Sequence, residues 1–81
     1  MSKSQFNKSL GLFIKSKRLG LNMSQSDLAA KLGNNAQNVS RLERGEVTPT
    51  LYWFFNLAEA FEQSPNSLFN EMEKAISKGK K

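Results

Sequence analysis

The 81-residue chain contains no cysteine and no histidine. Without cysteine, neither a disulfide nor a thiolate metal site can brace a small core. Without histidine, the commonest general base and the commonest neutral metal ligand are both missing. Paired acids do not fill that gap. Glu59 and Glu62 share a helix face and Glu71 and Glu73 are close in sequence, but no second ligand set accompanies them. An enzyme is not expected, and no cofactor, metal or small-molecule ligand is expected. No apolar run approaches the ~20 residues that span a bilayer. The cluster "LGLFI" is followed at once by Lys15, Lys17 and Arg18, with no small-residue cleavage site. A soluble cytoplasmic protein without a membrane role is the expectation.

Charge is present, and it is segregated. Residues 1–45 carry a net +6, residues 46–73 a net −5, and residues 74–81 a net +4. A basic half beside an acidic one suggests a side that faces a polyanion. The first helix, with Lys8, Lys15 and Lys17, would also suit a membrane surface. It is only weakly apolar, however, and the same pattern is needed to pack a core.

Five helical segments and no strand are expected, so the fold class is all-α: a five-helix bundle. Phe6, Leu10, Phe13 and Ile14 recur on one helix face. That helix is expected from about Ser4 to Gly20, with Gly11 costing it about 1 kcal/mol against alanine. Ser24 and Asp27 have capping-box spacing, and Met23 and Leu28 that of a hydrophobic staple. The second helix starts there and stops at Gly33. Asn35 caps a third helix that runs to about Arg44. Thr50 caps a fourth, with the stripe Leu51, Phe54, Leu57, Ala58 and Phe61. Ser64 and Pro65 open a fifth, at about 65–77, with the stripe Leu68, Phe69, Met72 and Ile76. The chain is expected to form one domain over 1–81, ending in a disordered tail at 78–81.

The third helix is the informative one, because it has little to bury. At 100° per residue, Val39 and Leu42 define its inner direction. Gln37 and Arg44 then point almost oppositely, flanked by Ser40 and Arg41, with no acid among the four. Arginine presents a fork that matches guanine, glutamine pairs with adenine, and serine bonds base or phosphate. Two short helices joined by a three-residue turn, at about 24–44, form the unit whose second helix fits the major groove.

The segments "MSQSDLAAKLG", "NVSRLERGEVTPTL", "LAEAF" and "SLF" resemble the Cro and phage-repressor type of helix-turn-helix domain, the xenobiotic-response-element family. The match runs from about Lys15 to Phe69 and includes the spacings between segments. The resemblance implies double-stranded DNA as partner. It implies base reading by Gln37 and Arg41, with Ala36 at a base-facing position where it would offer a methyl group to thymine; Ser40, placed on the same surface by the helical period, joins them as a base-reading candidate. It implies phosphate contacts from Gln25, Asn38 and Arg44, and from Thr48 and Thr50 in the following loop. Arg18 and Glu43 match a pair that bridges the first and third helices, which would orient Arg18 toward the DNA backbone. Glu46 departs from the basic residue many relatives carry nearby. Small stand-alone relatives include Cro-type repressors, antitoxin-like repressors and controller proteins of restriction–modification systems.

The fifth helix extends about two turns past the family match, and a two-fold contact with a second copy would bury its stripe of Phe69, Met72 and Ile76. A homodimer on an inverted-repeat operator is therefore expected. Tyr52 and Trp53 either cover the first helix or help build a partner surface, and internal packing is the favoured expectation. The rival reading is a protein–protein adaptor on the same fold, against which stands the acid-free outer face of the third helix.

Overall fold

Ser2 begins the first helix two residues earlier than Ser4. In the computed structural model, which describes residues 1–78, the Gln5 N–H donates to Ser2 Oγ at 3.1 Å and the Ser2 N–H to Gln5 Oε1 at 3.2 Å. This reciprocal cap sets α1 at Lys3–Gly20. Ser24 and Asp27 form the expected counterpart at the head of α2 (Gln25–Leu32), at 2.9 Å in both directions. Gly33 ends α2 at φ 65°, a left-handed conformation that glycine adopts without a Cβ penalty. Asn35 caps α3 (Ala36–Glu43), its side chain accepting from the Asn38 N–H at 2.9 Å. Thr50 caps α4 (Leu51–Ala60) and Ser64 caps α5 (Pro65–Lys78). The expected all-α, five-helix architecture is the one observed.

α1 packs on α3 and α5, α2 on α3 and α4, and α4 on α5. Leu10, Ile14, Leu28, Val39, Leu42, Leu57 and Leu68 are the large side chains fully closed off at the centre. Gly11 is where α1 meets the end of α3. A Cβ there would stand 2.7 Å from the Leu42 carbonyl oxygen and press on the carbonyl of Glu43. The helical cost of this glycine is thus offset by letting two backbones touch, which fixes how α3 leaves the core.

Several apolar expectations are corrected. Met72 and Ile76, assigned above to a dimer interface, are each only 7% exposed. α5 lies against α1, and that packing closes them into the chain's own core. Phe69 does stay half-exposed, with its ring edge-on to Phe54 and the centroids 6.4 Å apart. Leu51 is 73% exposed rather than buried. As the first residue of α4, its side chain leans back past the helix end, away from the core. Tyr52 and Trp53 divide: Tyr52 is 78% exposed, while Trp53 packs against the core. Consecutive helical residues point 100° apart, so one faces inward and its neighbour does not.

Lys17 Nζ reaches Glu71 Oε1 at 2.8 Å, joining the basic N-terminal half to the acidic block through α1 and α5. The disordered tail expected at 78–81 lies, beyond Lys78, outside the described residues. Among the described residues, no helix is long and apolar enough to cross a membrane.

Candidate nucleic-acid interface

α3 is held to the rest of the molecule by a narrow seam. Val39 and Leu42 are fully buried and Glu43 nearly so, while Gln37, Arg41 and Arg44 are exposed. Ser40 and Ala36 are half-buried on the rim of the same face. The helix therefore presents one amide, one hydroxyl and two guanidinium groups outward, as its periodicity predicts. Asn38 is half-buried and bends back onto the turn, its Nδ2 donating to Asn34 Oδ1 at 2.7 Å.

Glu43 anchors the end of this helix. Arg18 Nε donates to Glu43 Oε2 at 2.7 Å and Nη2 to Oε1 at 3.0 Å, while Nη1 donates to the Met23 carbonyl at 2.8 Å. The expected pair is present, and the hydrogen bonds to Glu43 hold the Arg18 guanidinium above its ordinary pKa. Arg18 itself is 6% exposed, which corrects its assignment to a DNA phosphate. Its donors are directed inward, onto a carboxylate and a backbone carbonyl, and its role here is to hold α3. Gln25, the first residue of α2, donates from Nε2 to Glu43 Oε1 at 3.0 Å. The same carboxylate thus fixes the amide that the resemblance assigns to a phosphate.

The loop after α3 behaves differently from expectation in one place. Thr48 Oγ1 donates to Oδ1 of the buried Asn7 at 2.8 Å, so its donor ties the loop to α1 instead of facing outward. Asn7 has no polar signal beyond its own identity, and its partner lies 41 residues away. Thr50 accepts the Trp53 N–H at 3.0 Å and remains exposed.

Two further features escape a helical wheel. Lys8, Leu12 and Lys15 recur along one face of α1 and line an open cleft of about 580 Å³ with Gln25, Arg44 and Glu46. The lysines thus stand beside the Gln25 end of α2 and the last turn of α3. Their i, i+7 spacing is visible in the sequence; their neighbours are not. Glu46 is the second. Its carboxylate takes Arg44 Nε on Oε2 at 2.7 Å and Arg44 Nη2 on Oε1 at 3.2 Å, and Arg41 Nε lies 3.7 Å from Oε1. Arg44 also donates to Ser40 Oγ. Glu46 is held below the ordinary carboxylate pKa, chiefly by its hydrogen bonds from Arg44, and Arg44 is raised by the same contact. The face of α3 is acid-free within the helix, yet an acid from the loop stands against it.

Short helices joined by Gly33–Asn35, the second turned outward with cationic and amide groups, define a helix-turn-helix protein. The chain belongs to the helix-turn-helix family, whose model matches residues 14–68, a family of DNA-binding regulators of transcription. Its fold is similar to that of the clp gene regulator ClgR from Corynebacterium glutamicum, with a TM-score of 0.78 at 19% sequence identity over 89% of this chain and 77% of that one. No curated protein matches the sequence.

Proposed function

We propose that the protein is a sequence-specific transcriptional regulator that binds an inverted-repeat operator as a homodimer. α3 enters the major groove with Gln37 and Arg41 on base edges and Ala36 and Ser40 beside them. Lys8, Lys15, Gln25, Asn38, Arg44 and Thr50 meet the flanking phosphates. The observation that carries this reading is the division of α3 between a thin buried seam and an outward face of Gln37, Ser40, Arg41 and Arg44. Basic and amide groups on α1 and α2 continue that face, as a duplex backbone requires.

The surface we assign to the second copy keeps Phe69 from the stripe the sequence suggests and shifts the contact from the far end of α5 to the heads of α4 and α5. Leu51, Phe55 and Phe69 are exposed around an apolar groove of about 430 Å³ at the heads of α4 and α5, with Tyr52 exposed beside them. An isologous contact there would remove those side chains from water and double the DNA-reading surface. Control of restriction–modification genes, or repression in the manner of Cro or an antitoxin, fits a small cytoplasmic regulator of this design.

Selection of bound duplexes from a random pool at near-physiological salt tests the proposal. An enriched inverted repeat with half-sites about one helical turn apart is the expected result. Salt-sensitive binding without any enriched sequence would reduce the interface to phosphate contacts and overturn base reading. No binding to any duplex would favour the adaptor reading.

A further inference from the structure

Resting on the DNA-binding reading above, we propose that Glu46 is a specificity-determining residue that competes with DNA phosphate for Arg44 and positions Arg41 for base reading. Glu46 lies outside α3, but its N–H donates to the Arg41 carbonyl at 3.0 Å. The preceding Gly45, at φ 76°, turns the chain back beneath the last turn of the helix. The carboxylate is thereby fixed on the two arginines instead of trailing into solvent.

The contact with Arg44 has the form a phosphate would take. Two guanidinium nitrogens meet two carboxylate oxygens, at 2.7 and 3.2 Å, and the same fork suits a phosphate. Arg44 also borders the cleft that Lys8, Lys15 and Gln25 share. A backbone phosphate settling in that cleft must take Arg44 from Glu46. Every duplex meets this competition, whatever its sequence, so Glu46 weakens non-specific binding.

Arg41 stands in another relation to the same acid. Its Nε is 3.7 Å from Glu46 Oε1, an ion-pair distance but not a hydrogen bond. Once Arg44 turns to phosphate, the carboxylate is free to close on Arg41 Nε. The two terminal nitrogens of Arg41 then remain for a base edge, on a guanidinium whose plane is held. A site with an acceptor pair at that position, as guanine has, recovers what was lost when Arg44 was displaced. A site without one leaves Glu46 against the phosphates with only a weak partner. The half-exposure of all three side chains, between 46% and 54%, lets this exchange proceed without disturbing the core.

The test uses the full chain with Glu46→Gln, the duplex most enriched in the selection, and a random-sequence duplex of equal length. Binding is titrated across salt, and thermal melting checks the fold; Glu46→Ala replaces the glutamine variant if that one melts differently from wild type. Loss of the competitor is expected to tighten binding to the random duplex by about fivefold to tenfold, and to lower the enriched-to-random ratio by about tenfold. Adding Arg44→Ala to Glu46→Gln should abolish the gain on the random duplex. A gain that persists in the double variant reports only the loss of one negative charge and overturns the competition. An unchanged ratio in a protein that melts like wild type overturns the role of Glu46 while the DNA reading stands. A wild-type protein that binds no duplex at any salt removes both.

Discussion

Gln25 Nε2 and Arg18 Nη2 both donate to Oε1 of Glu43, each at 3.0 Å. One buried carboxylate therefore neutralises a buried cation and fixes an amide beside the outward face of α3. Glu43→Ala strands the Arg18 guanidinium and is expected to cost about 3–5 kcal/mol in urea unfolding. Arg18→Met with Glu43→Leu should recover most of that loss, since no unpaired charge stays inside. The double variant should still bind DNA more weakly, because Gln25 has lost its anchor.

Gly11 and Gly20 lie in the same helix and should respond oppositely to alanine. At Gly11 the added methyl meets two backbone carbonyls of α3, and a net loss of about 1–3 kcal/mol is expected. At Gly20 nothing lies within 4 Å, and alanine should be neutral or stabilise by up to about 1 kcal/mol. Chemical denaturation of the two single variants measures both.

Arg41→Ala should flatten the base preference at one position of each half-site, with about a tenfold to hundredfold loss on the best sequence. Lys15→Ala and Gln25→Ala should weaken all duplexes alike. For Lys15 the salt slope should also become shallower by about 0.9, the share of one phosphate contact. A repeat of the duplex selection with each variant separates the two classes.

Acid should weaken the fold modestly through three exposed carboxyls. Asp27 is held below the usual range by the backbone N–H and hydroxyl of Ser24, Glu46 by Arg44, and Glu71 by Lys17 and then Gln63. A depressed carboxyl stabilises the fold fully above its unfolded pKa of about 4, and that support is lost as pH falls through the lower folded value. The melting temperature should therefore hold from about pH 7 to pH 5 and drop below about pH 4. Asp27→Asn should reduce the drop.

Phe55→Glu, compared with a wild-type chain that sediments as a dimer, tests the apolar groove as the proposed contact between copies. The half-exposed side chain leaves the core intact when replaced, so the expected product is a folded monomer by sedimentation, with weaker binding to an inverted repeat. A variant that stays dimeric places the two-fold contact elsewhere.

The starts of α2 to α5 are readable in the sequence because each is local: Ser24 with Asp27, Asn35 with Asn38, Thr50 with Trp53 and Ser64 with Ser67 are all three residues apart. At α1, by contrast, two serines, Ser2 and Ser4, compete for the cap and the structure takes the earlier one. The outward set Gln37, Arg41 and Arg44 is readable for the same reason, since a wheel needs only the 3.6-residue period. Its limits show where the chain leaves the helix. Glu46 returns to Arg41 and Arg44 through a left-handed Gly45, a geometry no wheel contains. Met72 and Ile76 form an apolar stripe whether α1 or another molecule covers it, so periodicity cannot choose between them. Thr48 and Asn7 are distant in sequence, and neither carries a pattern that points to the other.

The narrow seam of α3 also bears on how such a protein changes over evolutionary time. Folding draws on Val39, Leu42 and Glu43, whereas Gln37 and Arg41 make no contribution to the core. Mutations at those outward positions can therefore accumulate without unfolding the domain. On the proposed reading, in which Gln37 and Arg41 meet base edges, a lineage built on this scaffold can acquire new operators one base pair at a time, each intermediate remaining a stable protein on which selection can act.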